Sequence, residues 1–307
     1  MKILKNFLPL FLFFGIYLGS GIYYNDFYAL SPVIIAFGAV AFAITYFKGS
    51  INKNIDLFLK GAGNDQILTM CFIFFLSGSF SFITKEIGSV DYLVALILNH
   101  ITPQILFIAF FVISCLISFA LGTSVGTIVT LAPLLPGLSS GSTDALILLS
   151  GSLLGGAMFG DNLSIISDTT IAATQTMGVK MIDKFKANGL IALIAAIITC
   201  VFIYLNQPEF TSSIIHKSDK TGVVLLPYIA IVVLALCRLH VLVVLTISCL
   251  LAITIAFFQD LSFLSISKLA LDGMQSTFEI SLLSLLIGGL SFLIEKNKGF
   301  ENVLSLI

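Results

Sequence analysis

The sequence predicts an all-α polytopic membrane protein, organised as an inverted repeat with a re-entrant hairpin and a discontinuous helix in its first copy and an incomplete second copy. Three observations carry this. Hydrophobic residues make up 58 % of the 307 and charged residues 10 %, with a mean hydropathy of +1.10, outside the range of ordinary soluble domains. The apolar runs are long enough to cross a hydrocarbon core of roughly 30 Å as helices, and the alternating pattern of barrel strands is absent. The order and flanks of an early segment also recur near Ile307.

In chain order, Lys2 and Lys5 precede a first span from Phe7 to Tyr24. Its Gly19-Ser20-Gly21 cluster also fits a cleaved signal peptide, but the run is long for one and the repeat includes it. A second span covers about Tyr28 to Phe47, and Ile51, Ile55, Leu57, Phe58 and Leu59 among lysines suggest a short interfacial helix. A third span runs from Gln66 to Thr84; Val90 to His100 is too short to cross alone and reads as interfacial or re-entrant.

The apolar run Gln104 to Ala120 ends in Gly122-Thr123-Ser124-Val125-Gly126-Thr127 and resumes to Leu138 with Pro133 and Pro136. This is either a re-entrant hairpin with its tip at 122–127 or two crossings with a break, and both give the same parity. Asp144 to Thr176 is too long for one straight crossing. It is expected to unwind at Gly160-Asp161-Asn162 and at Ser167-Asp168-Thr169-Thr170. Ala187 to Leu205, Val223 to Cys237, Val241 to Phe258 and Thr277 to Ile294 are the remaining spans.

With the amino terminus inside, Lys2, Lys5, Lys48, Lys53, Lys60, Lys180, Lys184, Lys186, Arg238, Lys296 and Lys298 fall inside, and Lys85, Lys217, Lys220 and Lys268 outside. This excess is the one expected for that orientation.

Gly78-Ser79-Phe80-Ser81-Phe82-Ile83 lines up with Gly288-Gly289-Leu290-Ser291-Phe292-Leu293, each followed by a lysine, a glutamate and a glycine. Upstream, a short piece ending at Lys60-Gly61 matches one ending at Asp272-Gly273, and two spans precede each. The copies start on opposite sides in this topology, so the repeat is inverted, an architecture of many secondary transporters. Residues 1–206 form the first copy with hairpin and discontinuous helix, 207–222 a loop, and 223–307 the start of the second copy. The counterparts of 122–127 and 159–170 would lie beyond Ile307, so a truncated chain, with activity in doubt, is expected.

Candidate chemistry lies in Phe159 to Thr170. Asp161 and Asp168 would share one face if the segment were helical, and Asn162, Ser164, Ser167, Thr169 and Thr170 add oxygens. Carboxylates inside a span are functional candidates. An all-oxygen set suits an alkali or alkaline-earth cation rather than zinc or copper. Burial raises a carboxylate's pKa and a cation lowers it, so such a site exchanges a proton for a metal ion. Thr123, Ser124 and Thr127 are a second candidate loop, although Ser and Thr also bond within membrane helices. Asp168 also fits a plain N-cap.

The net charge of −1 and pI near 6.3 leave no basic surface for nucleic acid. The five cysteines include no C-x-x-C pair and read as buried small hydrophobes. His100, His216 and His240 show no metal-ligand spacing, so no zinc or iron site and no cofactor is expected.

Gly122-Thr123-Ser124-x-Gly126-Thr127, followed by Gly155-Gly156-x-x-Phe159-Gly160-Asp161-Asn162-Leu163-Ser164-x-Ile166-Ser167-Asp168-Thr169-Thr170, resembles the sodium/proton antiporters of the NhaC type. Ile165 stands where that family commonly has proline. The resemblance implies exchange of sodium or lithium for protons across the cytoplasmic membrane of a prokaryote, with sodium on Asp161 and Asp168. It implies sodium ion, proton and lipid bilayer as partners, with a homodimer as a candidate assembly. Some relatives move amino acids or carboxylates; a basic side chain deep in the core would favour that alternative, and the lysines and Arg238 instead flank spans. An intramembrane aspartyl protease would need its two aspartates on separate helices, whereas here both share one segment. A decayed, inactive membrane scaffold is the other alternative, and no enzyme activity is expected.

Overall fold

The computed structural model describes residues 6–100, 102–121, 123–164, 167, 181–208, 221–237 and 239–297. Among these, every regular element is helical. Five helices are long and apolar enough to cross a membrane: Asp65–Glu86, Thr143–Leu163, Asp183–Leu205, Val241–Phe258 and Phe278–Lys296. Over their described residues the expected spans are helical, the long segment from Asp144 as far as Leu163, and Val241–Phe258 falls at the bounds read from sequence. The helices group into two compact units, 1–75 with 275–307, and 76–274.

In the first unit, α1 (Leu8–Tyr24) stops at Asn25, whose left-handed backbone lets its N–H reach back to Gly21 and Ile22. α2 (Pro32–Tyr46) starts on a proline, where the missing N–H is harmless. Ser50 caps α3 (Ile51–Ala62) by accepting the Lys53 N–H, and the buried Asn54 of α3 donates to the Ile44 and Phe47 carbonyls at the end of α2. α4 (Asp65–Glu86) begins in this unit, and α14 (Phe278–Lys296) completes it. Ala36, Ala39, Val40 and Ala43 of α2 pack on Leu286, Leu290, Leu293 and Ile294 of α14. Gly61 of α3 lies so close to α14 that an added Cβ would meet Phe292, the Gly288 carbonyl and Gly289.

The second unit takes the rest of α4, then α5 (Ser89–His100), α6 (Pro103–Leu121), α7 (Ser124–Leu131), a short 3-10 turn, α8 (Leu135–Leu138), α9 (Thr143–Leu163), α10 (Met181–Leu205), α11 (Leu226–Leu236), α12 (Val241–Phe258) and α13 (Phe263–Ser276). Ile83 of α4 and Ile87 just after it pack with Cys249, Ala252, Ile255 and Ala256 of α12 and Ile266 of α13. Ser79 donates to the Ala270 carbonyl at 2.9 Å, and Gly273 abuts the Gly78 carbonyl and Ser79 N–H.

The chain from α6 to α9 positions the site. α6 and α9 run parallel, because contacts climb both together: Gly156 lies against Phe111 and Ser114, Gly160 against Cys115, Ser118 and Phe119, and Ser164 bonds to Phe119. The stretch from Ser124 to Leu138 therefore returns between them, and the end of α9 comes level with the turn at Thr123.

One expectation is corrected. The chain does not unwind at Gly160-Asp161-Asn162: α9 stays helical to Leu163 and leaves the helix at Ser164. The reason is packing, since Gly160 is where the backbones of α9 and α6 touch, and a glycine held in such a contact need not break its helix. The second expected break, at Asp168-Thr169-Thr170, lies outside the described residues, as do Gly122 and Ile165.

Candidate functional site

Asp161 stands in the last turn of α9. The 21 residues of that helix rise about 31 Å, so the carboxylate lies toward one end of a full-length span. Its Oδ1 is buried, with no hydrogen-bond partner among the described residues. A carboxylate oxygen removed from water and given no donor lacks the hydrogen bond that would offset its burial. The helix itself favours a cation here, because its last carbonyls are unpaired within the helix and carry the negative end of its dipole.

Three of those carbonyl and hydroxyl groups are accounted for. The Asp161 carbonyl accepts the Ser164 N–H at 3.1 Å. The Ser164 hydroxyl, in a residue only 1 % exposed, donates to the Phe119 carbonyl at 2.8 Å and ties the end of α9 to α6. The Asn162 carbonyl accepts a hydrogen bond from the Lys184 ammonium at 3.0 Å. Lys184 belongs to the first turns of α10.

The remaining sequence candidates fall as follows. Asn162 is exposed and Ser167 is buried, while Asp168, Thr169 and Thr170 lie outside the described residues. In the second loop, Thr123 caps α7 by accepting the Gly126 N–H, the buried Thr127 donates to the Thr123 carbonyl at 2.9 Å, and Ser124 opens the helix, partly exposed. Parallel α6 and α9 thus bring Thr123 and Asp161 to the same end of the helices. Among the described residues no group of three or more His, Cys, Asp or Glu could hold a metal ion.

Lys184 was the residue that span-flanking position concealed. It does flank a span, but α10 runs back along α9, its far end meeting the start of α9 around a cavity of about 480 Å³ lined by Asp144, Ile147, Gly151, Phe202 and Asn206. Turning back in this way sets the first-turn lysine beside the last turn of α9. The sequence signal that points to it is the unpaired helix C-terminus, which attracts the nearest cation.

The family model described as "Na+/H+ antiporter family" matches residues 12–206, more than half of the chain. The chain is 28 % identical over 211 residues to a protein of Bacillus subtilis (strain 168) called "Malate-2H(+)/Na(+)-lactate antiporter", covering 64 % of this chain and 45 % of the relative. It is 26 % identical over 230 residues to the Na(+)/H(+) antiporter NhaC of the same organism, covering 71 % of this chain and 49 % of the relative. An uncharacterized Na(+)/H(+) antiporter of Haemophilus influenzae is 27 % identical over 144 residues, covering 43 % and 31 %. The chain spans about half of the length of the curated relatives it matches, or less. No solved structure matches it.

Proposed function

The chain belongs to the Na+/H+ antiporter family, and from that premise we propose that it is a secondary transporter exchanging sodium or lithium for protons across the cytoplasmic membrane of a prokaryote, its amino terminus inside. The observation that carries this reading is the buried, unpartnered Oδ1 of Asp161 at the carbonyl end of α9. A carboxylate in that position binds either a proton or a monovalent cation, and each binding opposes the other. Loaded from one side and emptied to the other, it exchanges them. Asn162, Ser164, Ser167, Asp168, Thr169 and Thr170 are the proposed additional oxygen donors, with Asp168 the second carboxylate.

Alternating access requires two arrangements of the protein around the site. An inverted repeat is the proposed basis, and paired contacts support it. Ser50 accepts the Lys53 N–H to cap α3, and Ser262 accepts the Ser265 N–H to cap α13. Gly61 of α3 abuts Gly288 and Gly289 of α14, while Gly273 of α13 abuts Gly78 and Ser79 of α4. Since Gly78-Ser79 is the sequence counterpart of Gly288-Gly289, each copy lends its amphipathic helix to the long helix of the other.

A second reading keeps the ion site and adds a carboxylate substrate. Lys184 favours it, being a cation near the site with a stem long enough to meet an anion, and a relative is called a malate and lactate antiporter. Sealed proteoliposomes, acid inside, separate the two. Sodium or lithium alone should drive proton efflux from the wild type and fail in Asp161→Asn. Efflux that appears only when sodium is added with lactate or malate selects the second reading, and efflux unchanged in Asp161→Asn removes the site from both.

A further inference from the structure

We propose that Lys184 is the tethered counter-ion of the Asp161 site, an ammonium that holds the place of the transported cation and that sodium must displace. This rests on the reading that Asp161 binds the cation. The ammonium already uses the ligand type sodium would use, the Asn162 main-chain carbonyl at 3.0 Å, beside a carboxylate whose Oδ1 is buried without a hydrogen-bond partner. That carbonyl belongs to the last turn of α9, where a helix offers oxygens and negative potential to any nearby cation.

Charge then makes the two cations exclusive. The ammonium sits on the exposed carbonyl of Asn162, the residue next to Asp161, and a second positive charge brought to that turn is repelled by the first. Sodium arriving at Asp161 therefore moves Lys184 away. The lysine is built for such movement: it has a flexible four-carbon stem and a compact, easily hydrated head, and its residue is half-buried rather than enclosed. With sodium gone the ammonium returns, so the carboxylate is not left as an isolated charge, which would be costly in a low-dielectric setting.

A plain structural role competes with this one, since a lysine at a helix C-terminus also serves as a cap. The two separate by substitution. Lys184→Gln retains an N–H donor for the Asn162 carbonyl and removes the charge; Lys184→Arg retains the charge. The measurement is saturable binding of radioactive sodium to the purified full chain in detergent, at one alkaline pH and constant ionic strength set with choline chloride.

Half-saturation should fall about tenfold in Lys184→Gln, equivalent to about 1.4 kcal/mol, and stay near wild type in Lys184→Arg. In Lys184→Ala, added ethylammonium should compete with sodium where added choline does not, which tests the idea even if the glutamine variant fails to fold. Wild-type half-saturation in Lys184→Gln, with no ethylammonium competition in Lys184→Ala, overturns the counter-ion while leaving the cation site standing. Wild-type sodium binding that persists in Asp161→Asn, or is absent from every variant including the wild type, overturns the cation reading and this inference with it.

Discussion

Ser164 shows what a single hydroxyl does at the edge of the site. It ends α9 by giving its N–H to the Asp161 carbonyl and its Oγ–H to the Phe119 carbonyl of α6, at 1 % exposure. Ser164→Ala leaves the Phe119 carbonyl without that donor, a loss of about 1–3 kcal/mol for a buried group. The expected result is a lower midpoint of heat unfolding in detergent together with weaker sodium binding, because Asp161 sits within the same turn. Ser150→Ala is the comparison, since the Ser150 hydroxyl bonds only back along its own helix to Leu146; an equal shift in both would mean that the α6 contact holds nothing. At this scale Asp161 and Ser164 stood out in the sequence as candidates, because an acid and hydroxyls inside an apolar run are rare. Lys184 was not, because its meeting with Asn162 depends on how two helices turn back on each other, which no local pattern records.

At the scale of elements, most of the helices follow from hydropathy and stop signals, and their bounds came out close to those read from the sequence. Glycine was the difficulty. In a run of small residues a glycine marks either a break or a close approach, and only the neighbouring backbone decides which. Gly160 is a close approach: a Cβ there would meet the Cys115 carbonyl and Phe119 N–H of α6, whereas one at Gly151, on the same helix, meets nothing within 4 Å. The two positions should therefore respond with opposite sign. Gly151→Ala should stabilise the protein by up to about 1 kcal/mol through helix propensity, and Gly160→Ala should destabilise it by about 1–3 kcal/mol by prising α9 from α6. Unfolding midpoints of the two variants decide it, and matching shifts would return Gly160 to the role of a flexible joint.

For the whole molecule, the proposed repeat gives the test with most reach, because an inverted repeat would tie together topology, charge and the exchange of amphipathic helices. Asp56 on α3 and Lys268 on α13 are both exposed. They stand at equivalent places, each six residues after a capping serine, Ser50 or Ser262. In a parallel repeat they would face the same side of the membrane; in an inverted one they face opposite sides. In the proposed orientation, with the amino terminus inside, Asp56 lies inside and Lys268 outside. Single cysteines at the two positions, in a chain with Cys237 and the other natural cysteines replaced, should differ accordingly toward a membrane-impermeant maleimide added to intact cells. Lys268→Cys should label directly and Asp56→Cys only after the membrane is opened. Labelling of both from outside would dissolve the inverted relation while leaving the Gly61 and Gly273 contacts as they are, since packing alone does not fix the side of a membrane. The opposite pattern would keep the repeat and reverse its orientation, placing Asp161 and Lys184 at the outer face and making the site one that first meets external sodium.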